Sequence, residues 1–79
     1  MKRYIRSSSK PANLASSAVG ARVGDQIYDS SKDRIGEVVK EGQSGNYTIL
    51  YVDFGDGKSV RINPVDDAQV RGRFFKVED

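Results

Sequence analysis

Two tyrosines and one isoleucine alternate along a short stretch of the chain, YTILY, as Tyr47, Ile49 and Tyr51. Alternate residues of a β-strand lie on one face of the sheet, so we expect these three side chains to form an outward stripe. Aromatic rings on an exposed sheet face can stack on unpaired bases, at roughly 1–3 kcal/mol for each base. The stripe is therefore a candidate binding surface, although tyrosines also favour strands without any ligand.

Arginines follow the tyrosines along the chain and can complete such a surface. Arginine binds phosphate in a bidentate manner and stacks as a planar cation, and interleaved basic and aromatic residues are typical of nucleic-acid binding. The alternative is structural, because cross-strand Tyr–Arg pairs stabilise sheets on their own. The candidate arginines are Arg61, Arg71 and Arg73.

Catalysis is not expected. The chain contains no histidine and no cysteine, which removes the usual nucleophile–base pairs, disulfides and most zinc sites. Ser30 and Ser31 stand beside Lys32, and Asp66 beside Asp67, but both clusters lie in segments with turn composition. We therefore predict a non-enzyme without a cofactor or a metal site.

Charge divides the chain into a basic arm and a mildly acidic body. Residues 1–24 carry five basic residues and no acid, whereas residues 25–79 carry eight bases and eleven acids, a net charge of 8 − 11 = −3. Basic arms contact phosphate without reading sequence, or simply remain solvated. We assign residues 1–20 to the arm, with a short helix over 13–20, and predict phosphate contacts from Lys2, Arg3, Arg6 and Lys10.

From residue 22 onwards the apolar pattern has a period of two, which predicts β-strands separated by turns. Gly36 interrupts the second run, which indicates a bulge or a tight bend there. Five short strands in so few residues favour a small closed or nearly closed barrel over residues 21–79, because closure removes exposed edges. The predicted strands are Arg22–Tyr28, Arg34–Glu41, Tyr47–Phe54, Lys58–Asn63 and Val70–Val77.

The hairpin around "FGDG" can be registered from its apolar residues. A two-residue loop would place Val52 opposite Arg61 on the core face. A three-residue loop, Gly55–Gly57, with Gly57 in the left-handed region, places Val52 opposite Val60 and Leu50 opposite Ile62. The second register is predicted, with Tyr51 outside and across from Arg61.

The stretches VGDQIYDSSKDRIGEVV and YTILYVDFGDGKSVRI resemble the SH3-like small barrels, in particular the Tudor-like, KOW-like and PRC-barrel groups. The resemblance covers about residues 22–77 and is carried by Val23-Gly24-Asp25, Ile35-Gly36-Glu37-Val38 and Phe54-Gly55-Asp56-Gly57. It implies an all-β, SH3-like five-stranded barrel that acts as a binding module. Members of this fold bind RNA, DNA, peptides or protein partners, so the fold alone does not choose the ligand.

The leading prediction is a cytoplasmic nucleic-acid-binding module, with single strands or RNA favoured over duplex and with no membrane role. The alternative is a protein-interaction module, or a small inhibitor of the kind that phages and mobile elements encode, which blocks a partner's nucleic-acid-binding surface. It would use the same face, Tyr47, Ile49 and Tyr51. Adjacent Phe74 and Phe75 point to opposite faces of a strand, which also allows a homodimer.

Overall fold

The fold is a five-stranded antiparallel sheet, seen in a computed structural model that describes residues 11–65 and 72–78. The strand order is β4-β3-β2-β1-β5, and the described residues contain no helix. The predicted all-β class with five strands is confirmed. Within the described residues β4 and β5 do not pair with each other, so the sheet is not closed into a barrel. The strands are β1 Gln26–Asp29, β2 Arg34–Ser44, β3 Tyr47–Asp53, β4 Ser59–Ile62 and β5 Phe74–Lys76.

One face of the sheet carries the core. Its members come from all five strands and from the segment before β1, which places two small alanines against the sheet. Phe54 and Val60 pack against this cluster from its margin, and the rings of Phe54 and Phe74 lie 6.1 Å apart. The buried core residues are Ala18, Ala21, Ile27, Val38, Leu50, Val52, Ile62 and Phe74.

The β3–β4 hairpin has the predicted three-residue register. Leu50 pairs with Ile62 and Val52 with Val60, so apolar residues meet on the core face. The turn uses left-handed backbone at Gly57, whose φ is 79°. Hydrophobic matching therefore decided this register, as the sequence pattern indicated.

The irregularity of β2 lies at Val39 and not at Gly36. The register with β3 shifts between Val38, which pairs with Val52, and Lys40, which pairs with Tyr51. If Val39 paired regularly with Tyr51, Lys40 would lie opposite Leu50 on the core face. Because Val39 is bulged, Lys40 lies opposite Tyr51 on the outer face.

Gly36 instead allows two strands to approach closely. A Cβ atom there would lie 2.6 Å from the carbonyl oxygen of Asp53 and 2.6 Å from Cδ1 of Phe54. The prediction of a bulge or bend at Gly36 is therefore wrong. A close approach of the backbone explains this glycine, and it is the other common reason for glycine inside a strand.

The predicted helix over residues 13–20 is wrong. Leu14 forms an antiparallel bridge with Val77, and the Ala15 N–H donates to the carbonyl of Lys76 at 2.9 Å. The Lys76 N–H donates in turn to the carbonyl of Ser17 at 3.0 Å. Pairing with β5 is favoured because it satisfies the outer edge of that strand, whereas the segment has few apolar residues to bury as a helix.

Strands β1 and β5 begin later in the chain than predicted. Residues 22–25 form a turn, in which the Asp25 N–H donates to the Arg22 carbonyl at 2.9 Å, so β1 begins only at Gln26. β5 begins at Phe74, after a turn at residues 72–73, and the rest of its predicted beginning lies outside the described residues. No helix in the described part of the chain is long and apolar enough to cross a membrane.

Gly36→Ala is expected to lower the free energy of unfolding by about 1–3 kcal/mol, the usual range for overpacking. The new methyl group meets a carbonyl oxygen at 2.6 Å, and this backbone atom cannot rotate away. Urea denaturation followed by circular dichroism measures the loss. The control is Gly42→Ala on the same strand, where the nearest atom is Cε2 of Tyr51, at 3.2 Å and on a side chain that can move. Equal stability of both variants would contradict the assignment of Gly36 to a close contact between β2 and the end of β3.

Candidate functional site

A row of three side chains crosses the outer face of strands β2, β3 and β4. Lys40 pairs with Tyr51, and Tyr51 pairs with Arg61, so two cations flank one aromatic ring. The ammonium Nζ of Lys40 lies 5.3 Å from the centre of the Tyr51 ring, within cation–π distance. We name these three residues the Lys40–Tyr51–Arg61 row.

A missing side chain on β2 makes room for the Tyr51 ring. A Cβ atom at Gly42 would lie 3.2 Å from Cε2 of Tyr51 and 3.7 Å from its hydroxyl oxygen. The ring therefore lies across the strand over Gly42 and is half-buried, while Lys40 and Arg61 on either side are exposed. The absence of a side chain at Gly42 thus gives the ring room to lie between Lys40 and Arg61.

Acidic residues bound the row on one side. Glu37 pairs with Asp53 on the same outer face, and Asp53 pairs with Ser59. One oxygen of Asp53 accepts the N–H of Gly55 at 2.8 Å, which fixes that carboxylate. The carboxylates of Glu37 and Asp53 would therefore repel an anionic group from that side of the row.

The predicted stripe of Tyr47, Ile49 and Tyr51 is not continuous. Ile49 lies outside the core cluster, yet only 1% of it is exposed, so the prediction that it offers a contact surface is wrong. Tyr47 is exposed and pairs with Ser44 at the end of the β2–β3 hairpin. The sequence pattern identified the face of Ile49 but carried no information on what covers it.

Arg73 is held by a buried carboxylate. Its Nε donates to Oδ1 of Asp29 at 2.8 Å and its Nη2 donates to Oδ2 at 3.0 Å, a bidentate pair. Arg34 donates from Nε to Oδ2 of the same carboxylate at 2.9 Å. Each guanidinium also stacks on a phenylalanine, Arg34 on Phe54 at 4.1 Å and Arg73 on Phe74 at 4.8 Å. The predicted phosphate contact from Arg73 would have to compete with this pair.

Asp29 is ionised because of these partners. The side chain is fully buried, and burial alone would raise the pKa of its carboxyl group. Hydrogen bonds from Arg73 and Arg34, together with the N–H of Ser31, outweigh burial and hold that pKa below its ordinary value of 3.8. The cluster of Asp29, Arg34 and Arg73 has a structural role, since it joins β1 and β2 to the turn before β5.

The remaining predicted contacts, Lys2, Arg3, Arg6, Lys10 and Arg71, lie outside the described residues and stay predictions. Among the residues that the structure does describe, no group of three or more acidic side chains is placed to hold a metal ion.

Lys40 is the residue that sequence reasoning missed. The signal was present in Val38-Val39-Lys40, where two adjacent valines break the period-two pattern and thereby indicate a bulge. An unbroken alternation assigns Lys40 to the wrong face, because every residue after a bulge changes sides.

Searches with the chain found no matching family model, no matching curated protein and no matching solved structure.

Asp29→Asn is expected to lower the free energy of unfolding by about 1.5–3 kcal/mol, because two partly exposed arginines lose charge-assisted hydrogen bonds to a buried carboxylate. The exposed Asp56→Asn, measured beside it by urea denaturation at neutral pH, should change little. The folded-state pKa of Asp29 is depressed, so its contribution is present above the unfolded value and lost as pH falls through the folded value. The stability gap between wild type and Asp29→Asn should therefore narrow below about pH 4. A gap independent of pH would contradict the ion-pair assignment.

Proposed function

We propose that the protein is a non-catalytic module that binds single-stranded nucleic acid on the Lys40–Tyr51–Arg61 row. The observation that carries the proposal is the row itself, one aromatic ring between two exposed cations on adjacent strands. This is the combination of stacking platform and phosphate contacts that single-strand binding requires.

The chemistry follows from the spacing of the row. Neighbouring strands lie about 4.8 Å apart, so β2 and β4 are about 10 Å apart on either side of Tyr51. A base stacks on the tyrosine ring, and the phosphates on its two sides reach Lys40 and Arg61. The exposed cation–π contact of Lys40 is worth only about 0.5–1 kcal/mol, so a base can displace the ammonium towards a phosphate.

Single strands are favoured over duplex for two reasons. Bases within a duplex are already stacked and do not offer a face to Tyr51. A duplex is also wide and carries one charge per roughly 1.7 Å of axis, so it would extend over the acidic pair Glu37 and Asp53 beside the row. A single strand can follow the row and leave that pair uncovered.

The fold and the arm complete the proposal. The strand order and the β3–β4 hairpin are compatible with an SH3-like small barrel, a fold that serves many binding functions. We propose that the basic residues of the arm, Lys2, Arg3, Arg6 and Lys10, add phosphate contacts independent of sequence.

Tyr51→Ala is expected to weaken binding to a fluorescent oligothymidine by about 1–3 kcal/mol, the usual value of one stacked base. Lys40→Ala and Arg61→Ala should each reduce the slope of log affinity against log salt by about one unit. Fluorescence anisotropy at roughly 50 and 200 mM salt measures both effects. Lys32→Ala, which removes an exposed cation from the β1–β2 turn, is the matched control and should have little effect.

Glu37→Gln gives a test of opposite sign, since it removes a repulsive charge beside the row and should strengthen binding at low salt. No binding of any oligonucleotide at low salt would refute the nucleic-acid proposal. It would favour the alternative of a protein-interaction or inhibitor module on the same face, for which Tyr51→Ala would break a protein complex.

A further inference from the structure

A groove lies at the end of the sheet where the core approaches solvent. It has a volume of about 320 Å³, within the range of ligand-binding clefts, and the core residue Leu50 contributes to its lining. One wall is the segment Val19–Arg22, and the other is formed by the end of the β2–β3 hairpin together with Pro64 and Val65. The nucleic-acid proposal makes no use of this groove.

Exposed apolar side chains are concentrated in this groove. Five large hydrophobic residues of the described chain are exposed, and three of them, Val19, Tyr47 and Val65, line it with exposed fractions of 38–49%. A fourth, Val23, follows directly after the groove residue Arg22. Apolar side chains gathered around a concave surface, and not scattered singly, indicate a surface that another molecule covers.

The accessible charge in the groove is positive. The Nε of Arg22 donates to Oε2 of Glu41 at 3.3 Å, and the same oxygen accepts the N–H of Val23 at 2.9 Å. The hydrogen bond from the Val23 N–H lowers the pKa of the Glu41 carboxyl group most, and the bond from Arg22 lowers it further. Both bonds therefore keep Glu41 ionised. The Arg22 side chain is 76% exposed against 29% for Glu41, so the guanidinium is the group that a ligand meets.

The ion pair also orients the arginine. Because Glu41 occupies Nε, the terminal Nη nitrogens of Arg22 remain for a second acceptor, and no other contact to them is seen within the described residues. A guanidinium offers a fork of donors that matches a carboxylate. An apolar surface beside such a cation is complementary to an apolar residue with a neighbouring acidic residue.

We propose that this groove binds a peptide segment of a partner protein in which an apolar side chain lies next to an aspartate or glutamate. The apolar side chain packs against Val19, Tyr47 and Val65, and the carboxylate binds Arg22. The groove favours a peptide over a nucleic acid because three of its exposed side chains are apolar and Arg22 is the one cation among the described residues that line it. This site is additional to the Lys40–Tyr51–Arg61 row.

The test is selection from a random-peptide display library on the intact protein, with Arg22→Glu selected in parallel. Wild type should enrich a consensus with an apolar residue beside Asp or Glu, and Arg22→Glu should replace the acidic position by Lys or Arg. A synthetic consensus peptide is then titrated by calorimetry. Val65→Asp, which places a charge among the apolar side chains of the groove, should weaken its binding at least about tenfold, with the fold of the variant checked by circular dichroism. Lys32→Ala is the control and should bind as wild type does.

Three outcomes would overturn the proposal. They are the absence of any consensus on wild type, an unchanged acidic consensus on Arg22→Glu, and unchanged peptide affinity in Val65→Asp. Oligothymidine separates the two sites: direct binding of oligothymidine that competes with the peptide on wild type and is itself weakened in Val65→Asp would reassign the groove to nucleic acid. Peptide binding without oligonucleotide binding would support the groove and refute only the nucleic-acid proposal.

Discussion

One buried carboxylate joins three parts of the described sheet. Asp29 is fully buried at the end of β1 and binds two arginines, Arg34 at the start of β2 and Arg73 before β5. The two aromatic rings on which these arginines stack, Phe54 and Phe74, belong to the margin and the interior of the core. A chain without cysteine gains no disulfide, and a domain of this size has a small core. Removal of the arginines would leave the buried charge of Asp29 without a partner, so the three parts of the chain are required together.

The candidate site depends on an irregularity in the same sheet. The Val38 N–H donates to the carbonyl of Asp25, and the Val38 carbonyl accepts the N–H of Gly24, so the turn before β1 holds β2 just where the bulge begins. Beyond the bulge Lys40 emerges on the outer face beside Tyr51. These backbone hydrogen bonds thus hold β2 beside the bulge that places Lys40 on the outer face.

Local patterns predicted part of this structure. The β3–β4 register followed from matching Val52 to Val60, because neighbouring apolar residues on adjacent strands leave few alternatives. Contacts between distant residues could not be predicted in this way. Arg73 and Asp29 are 44 positions apart, and no pattern in either segment predicts that they pair. The burial of Ile49 depends likewise on tertiary packing. The predicted helix over 13–20 failed because the unpaired edge of β5 competes for the same backbone groups.

The central claim is that the Lys40–Tyr51–Arg61 row contacts a single-stranded nucleic acid. Amide chemical-shift mapping by NMR during titration with oligothymidine tests this most directly, because it reports every strand at once. The account predicts shifts centred on residues 40, 51 and 61 and on neighbouring outward positions of β2–β4, with the segment Val19–Arg22 unaffected. Shifts centred on the groove, or an unchanged spectrum at low salt, would contradict it.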